Sequence, residues 1–234
     1  MKLSDITRLN EAIAARESMA LVTWLASGEQ RLFTHPNTSD MAHDLELSLT
    51  LSDAFNKDRS TIATIDGVEV FIEIHNPALR MVIIGAVHIA QELIPMAHRL
   101  GYETIVIDPR TAFSSAERFA GVRRDTRWPS EALEDIGIDR RTAVVALTHD
   151  PKIDDPALTI ALNAEPFYVG ALGGRRTNEK RIERLLAAGI STDKQSQINA
   201  PVGLDIGAIG APEIAVSVMA QVTAALRGKL KPKA

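Results

Sequence analysis

Hydrophobic positions follow two different rhythms along this chain, and the change falls near residue 79. Before it, short alternating runs and one helical stretch are interleaved. Ser4 and Asp5 can accept from the first free N–H groups of a short helix ending near Arg16. ALVTWLA then reads as a strand, GE as a turn and QRLFTH as its hairpin partner. Between residues 38 and 55, Met41, Leu45, Leu49 and, less strictly, Ala54 recur at a helical period. TIATI and VEVFIEI flank Asp66-Gly67, a pair suited to the two-residue turn that joins twisted strands. Residues 1–78 are therefore expected to form a small α+β domain, with the proline of HNPALR marking its end.

From residue 79 to 234 the rhythm becomes strand and helix in alternation. MVIIG, TIVID, AVVALTH and PFYVGAL are short apolar strand candidates. HIAQELIPMAHRLG, DPALTIALN, TNEKRIERLLAAG and PEIAVSVMAQVTAALRG are the helices between and after them. Such alternation predicts a parallel sheet covered on both faces. Gly101 and Gly189 stand where helix ends favour a left-handed residue. Pro95 should kink its helix or mark its true first turn. The expected class is α/β, a doubly wound, Rossmann-like parallel sheet preceded by the smaller α+β domain.

Composition narrows the partners. A net charge of −4 over 234 residues disfavours nonspecific binding to nucleic acid or to an anionic membrane. LRMVIIGAVHIA is too short to span a bilayer, and the first twenty residues hold no uninterrupted apolar core of the signal-peptide kind. A cytoplasmic protein without an integral membrane segment is expected. The chain has no cysteine, so metal ligands would have to come from His, Asp and Glu, and no metal is specified.

Ligands of doubly wound sheets bind beyond the carboxyl ends of the strands. In GAVHIA, Gly85 allows a tight turn and the helix start at His88 can receive an anion, while Val87 crowds the approach of a pyrophosphate. Asp108, 23 residues beyond Gly85, stands where an acid would bind ribose hydroxyls, with Arg110 close behind. THD presents His149 and Asp150 as candidates for acid–base chemistry or a metal, while Asp150, Asp154 and Asp155 also suit capping of the next helix, a role read first for Asp154 and Asp155. Gly173, Gly174, Arg175, Arg176 and Thr177 form the strongest anion-binding run, with Thr177 a candidate cap. Asp205, within VGLDIG, is either a turn former or a ligand contact.

Taken together, IIGAVHIA, VIDPR, ALTHD with DDPAL, YVGALGGRRT and APVGLDIGAIGAPEIAVS resemble, in order, the C-terminal Rossmann domain of the XdhC/CoxI family. The resemblance implies an accessory protein for the maturation of molybdenum hydroxylases such as xanthine dehydrogenase or carbon monoxide dehydrogenase. It implies a chaperone binding molybdenum cofactor (molybdopterin), a nucleotide such as NAD(P) or ADP, or both, with a client hydroxylase as partner and a homodimer as its state. Catalysis is not implied, and an NAD(P)-dependent oxidoreductase is the alternative. Val87 stands where the family commonly has glycine, Asn199 where it commonly has histidine, and the family's N-terminal cysteine motif is missing. The chain is thus identified as a divergent member with a reduced, cysteine-free front domain.

Overall fold

A computed structural model describes residues 3–35 and 45–230. The chain divides into two units, Met1–Pro77 and Ala78–Ala234. In the first, helix α1 (Leu3–Ala14) turns Leu9 and Ala12 inward to pack with Met19. Strands β1 (Met19–Trp24) and β2 (Gln30–Thr34) pair antiparallel, followed by α2 (Leu45–Lys57), β3 (Thr61–Ile65) and β4 (Val68–His75). Asp66 and Gly67, at φ 48° and 78°, make the tight turn between β3 and β4. The four strands lie in the order β2-β1-β4-β3.

Helix α2 presents a different face from the one expected. Leu45 and Leu49 are 72% and 63% exposed, while Leu47, Leu51, Ala54 and Phe55 are buried against Val22, Val70 and Ile72. Leucine at every second position of LELSLTL leaves two helical faces open. Ala54 and Phe55 decide between them, because with Leu47 and Leu51 they complete a continuous apolar stripe. Met41 and the rest of residues 36–44 lie outside the described residues.

The second unit is built on β5 (Arg80–Ile84), α3 (His88–Arg99), β6 (Glu103–Ile107), β7 (Arg123–Asp125), α4 (Pro129–Ile136) and β8 (Thr142–Ala146). It continues through α5 (Pro151–Ala164), β9 (Tyr168–Ala171), α6 (Arg175–Ala187), α7 (Thr192–Ser196), β10 (Ile198–Asn199) and α8 (Gly210–Leu226). All strand pairs are parallel, in the order β10-β9-β8-β5-β6-β7. That is the order of a dinucleotide-binding Rossmann sheet, with the reversal between β5 and β8.

Alternation within the strands feeds both faces. Met81, Ile83 and Val145 pack with Leu93, Ala97, Val218 and Val222 on one side. Val82, Ile84 and Val144 pack with Leu133, Ala157, Leu158 and Leu185 on the other. At about 1.5–3 kcal/mol for each large apolar side chain removed from water, these layers dominate the favourable side of folding. Four short elements, β7, α4, α7 and β10, were absent from the sequence pattern because none is long enough to show a period. Pro95 lies inside α3 rather than in its first turn; the helix accommodates it and runs from His88 to Arg99.

Leu51→Ala is expected to lower the unfolding free energy by about 2–5 kcal/mol in urea titrations, since its side chain is fully buried. Leu49→Ala should stay within about 0.5 kcal/mol of the parent. The opposite ranking would return α2 to the other face.

Candidate functional site

At the point where strand order reverses, the turns after β5 and β8 touch. Gly85 has φ 113°, and a Cβ built on it would lie 2.7 Å from Thr148 Cγ2. Only glycine fits both the backbone and the gap. Val87 caps α3 without a side-chain hydrogen bond and packs on the apolar layer beneath, leaving His88 exposed as the first helical residue.

Asp108 is fully buried under this turn. Its carboxylate accepts from Ala86 N–H at 2.8 Å, Arg110 N–H at 3.0 Å, and Arg110 Nε and Nη2, both at 2.9 Å. Burial alone would raise its pKa, but the hydrogen bonds from the Arg110 side chain and from the two backbone groups hold it below the usual value. Arg110 also lies over the Phe113 ring, 4.5 Å from its centroid. Arg118 closes the turn from the other side, donating to Ala86 O at 3.0 Å and Gln91 Oε1 at 2.8 Å. The acid expected to bind ribose thus spends its acceptors on the chain itself.

After β8, His149 takes a left-handed backbone, φ 61°. It is therefore not part of an extended strand, although the sequence pattern places it at the end of the strand candidate AVVALTH. Asp150 is the cap of α5, accepting from Lys152 N–H at 3.0 Å. The capping expected of Asp154 and Asp155 is corrected accordingly, since both lie inside the helix. Asp154 is 1% exposed and accepts from the Thr148 hydroxyl at 2.6 Å; burial pushes its pKa up. Asp155 is paired with Arg184.

The glycine pair after β9 opens α6. Gly174 is the cap and Thr177 the third helical residue, so Thr177 does not cap the helix as expected. Its methyl instead fills the space beside Gly173, where a Cβ would come within 2.8 Å of Thr177 Cγ2. Arg175 and Arg176 are exposed on the first turn. Arg181, further along the helix, is 2% exposed and donates from Nη2 to Leu172 O at 2.8 Å.

The larger of two described cavities on this unit has a volume of about 940 Å³. Its walls include His149, Gly173, Gly174, Asn199, Asp205 and Gln221, all beyond the carboxyl ends of β8, β9 and β10 or on α8. One wall is the segment following β10, which is pinned at three points. Val202 N–H donates to Ala171 O at 3.1 Å, Gly203 N–H to Gln221 Oε1 at 2.8 Å, and Leu204 N–H to Ser217 O at 3.2 Å. Tyr168 Oη donates to the same Gln221 oxygen at 2.6 Å. Asn199 Nδ2 donates to Val169 O at 3.0 Å, which fixes its side chain at the cleft's edge.

The structure thus gathers His149, Gly173, Gly174 and Asp205 around one cleft. Gly85, His88, Asp108 and Arg110 cluster at the β5–β6 end and do not line it; Arg175 and Arg176 line neither cavity, and Asp150 serves as a cap. Ser217, Gln221 and Arg181 were missed. Their signal was present: two polar residues four apart on the buried side of the mostly apolar α8, and an arginine on the inward face of α6. Among the described residues, no group of three or more His, Asp or Glu side chains is placed to hold a metal ion, and no helix is long and apolar enough to cross a membrane.

Comparison with known proteins locates the same region. The family pattern described as "XdhC Rossmann domain" matches residues 81–222. The molybdenum cofactor insertion chaperone PaoD of Escherichia coli is 35% identical over 146 residues, which are 62% of this chain and 40% of that protein. A probable xanthine dehydrogenase subunit from Bacillus subtilis is 30% identical over 154 residues, 65% of this chain and 44% of its own length. The chain thus matches less than half the length of either curated relative. A crystal structure described as a xanthine dehydrogenase from Bacillus halodurans superposes with a TM-score of 0.66 at 23% identity, covering 97% of this chain and 67% of the other. That likeness extends the shared fold to nearly the whole chain.

Asp108→Asn should cost about 1.5–3 kcal/mol of unfolding free energy at pH 7, because the amide loses charge-assisted bonds that the buried carboxylate takes from the partly exposed Arg110. The folded-state pKa of Asp108 is depressed, so its contribution is present above the unfolded value, near ~3.9, and fades as pH falls through the folded value. Urea titrations at pH 7 and pH 3 should show the gap between parent and variant narrowing in acid. A constant gap would remove the ionised carboxylate from the account.

Proposed function

The chain belongs to the XdhC Rossmann-domain family, and from that premise we propose that it is a maturation accessory of a molybdenum hydroxylase, holding molybdenum cofactor for delivery to that client. The observation that carries the reading is the cleft of about 940 Å³ formed by the glycine segments after β9 and β10. Its size suits a ligand larger than a single ring system, within the range of about 300–1,000 Å³ typical of small-molecule sites. It lies at the carboxyl edge of the sheet, where Rossmann folds receive ligands.

The residues present fit such a group. A molybdenum cofactor brings its own sulfur ligands, so a chain without cysteine is chemically sufficient to hold it. Binding then requires an apolar wall for the fused rings, supplied by Val202, Leu204 and Ile214, and polar groups for their edges, supplied by Asn199 and Asp205. A Cβ on Gly174 would meet open space, so the start of α6 is accessible to an anionic group. Arg175 and Arg176 stand exposed beside that helix start and add positive charge at the approach. The redox chemistry of the cofactor belongs to the client. This chain's work is to bind the group, shield it and release it.

No observation favours NAD(P)-dependent hydride transfer. The acid that would recognise ribose is Asp108, whose carboxylate already accepts four hydrogen bonds from Ala86 and Arg110.

Purified anaerobically from cells that make molybdenum cofactor, the chain is expected to release a pterin on denaturation. The double change Asp205→Ala, Ile206→Arg alters two exposed residues of the cleft wall and should reduce that yield about tenfold without moving the melting temperature. Absence of any pterin, or an unchanged yield from the variant, would overturn the assignment.

A further inference from the structure

A second cavity, of about 160 Å³, lies between α5 and α6, with walls that include His149, Asp154, Thr177, Lys180, Arg181 and Arg184. A water molecule occupies about 30 Å³, so this space holds several waters or one tetrahedral oxyanion. Its charges are unevenly spent. Arg184 is committed to Asp155, through Nε and Nη2. Arg181, though 2% exposed, has no carboxylate partner: Nη2 donates to Leu172 O, Nη1 reaches Asn178 Oδ1 at 3.4 Å, and Nε has no hydrogen-bond partner among the described residues.

Asp154 does not neutralise it directly. One carboxyl oxygen takes the Thr148 hydroxyl and the other has no hydrogen-bond partner. Burial pushes its pKa up, against the pull of the Thr148 hydrogen bonds and of the nearby Arg181 charge, so it holds a proton more tightly than a free carboxylate. A buried guanidinium with no carboxylate in hydrogen-bond contact is costly: burial pulls its pKa down, against the nearby charges of Asp154 and Asp155. The remaining wall groups, the Lys180 ammonium, the Thr177 hydroxyl and the His149 ring, add donors. Asp154 and Asp155 also line the space, but Asp155 is taken by Arg184, so the donors of Arg181, Lys180 and Thr177 outnumber the acceptors that meet them.

We propose that this cavity binds a tetrahedral oxyanion of the phosphate class, held by Arg181, Lys180 and Thr177. Two sources share that chemistry: free inorganic phosphate, and the phosphate end of a monoester whose body lies in the larger cleft. His149 lines both cavities and stands at their junction. The ester source rests on the function proposed above; the anion site itself does not. It also moves the main phosphate contact from the exposed Arg175 and Arg176 to the buried Arg181.

Inorganic phosphate, titrated calorimetrically into the full chain at low ionic strength, is expected to saturate a single site. Lys180→Ala, a change at an exposed position on the cavity rim, should weaken binding about tenfold. Lys152→Ala removes the same charge from an exposed position outside the cavity and should leave affinity unchanged. Phenyl phosphate separates the sources: tighter binding than phosphate supports the ester, and equal binding supports the free ion. No saturable binding, or equal affinities for the parent and Lys180→Ala, would overturn the proposal. So would equal losses in Lys180→Ala and Lys152→Ala. Pterin retention in the larger cleft is read separately, so either assignment can fail while the other stands.

Discussion

The close approach of Gly85 to Thr148 governs the geometry of the ligand-binding edge. Two parallel strands, β5 and β8, run side by side with every side chain buried, and the turns that leave them must diverge to opposite faces of the sheet. With no Cβ at Gly85, the two turns can meet at van der Waals distance. Thr148 then sits where a ligand would otherwise enter, and its hydroxyl reaches Asp154 while His149 adopts the left-handed backbone that starts the turn into α5. The larger described cleft lies further along the edge, toward β9 and β10. A strand order typical of dinucleotide binding is thus combined with a cleft displaced from the point of reversal.

The electrostatics on the two sides of that contact differ in kind. On the β6 side, Asp108 is buried and ionised because Arg110 and two backbone N–H groups satisfy it. On the β8 side, Asp154 is equally buried but takes hydrogen bonds only from the Thr148 side chain and backbone, so burial prevails and its pKa is pushed up. Two aspartates close to one turn are driven in opposite directions by the number of donors each meets. The first stiffens a loop. The second makes no hydrogen bond to the neighbouring Arg181.

Much of the fold was legible in the order of residues alone. Buried strands such as MVIIG and AVVAL carry uninterrupted apolar runs, and Asp66-Gly67 announces its turn, because one local interaction dominates each. The face of α2 was not legible, since alternate leucines at 45, 47, 49 and 51 satisfy two helical stripes and tertiary packing chooses. Site residues divided in the same way. Gly173, Gly174 and Asp205 could be singled out as candidates because loop composition alone exposes them, and they line the larger cleft. The burial of Asp108 and Arg181 depends on which turns meet across the sheet, a relation between distant segments that a single sequence does not display.

The segment from Val202 to Leu204 forms one wall of the larger cleft and is bonded to β9 and to α8 through Ala171, Gln221 and Ser217. Helix α8 in turn shares an apolar layer with α3 and the sheet. A wall secured to the core in this way keeps its shape when empty. Little conformational entropy is then lost when a ligand enters, so modest polar contacts suffice for retention. The kinetic consequence is that, along residues 202–204, entry and departure of a ligand need no ordering or melting of the backbone.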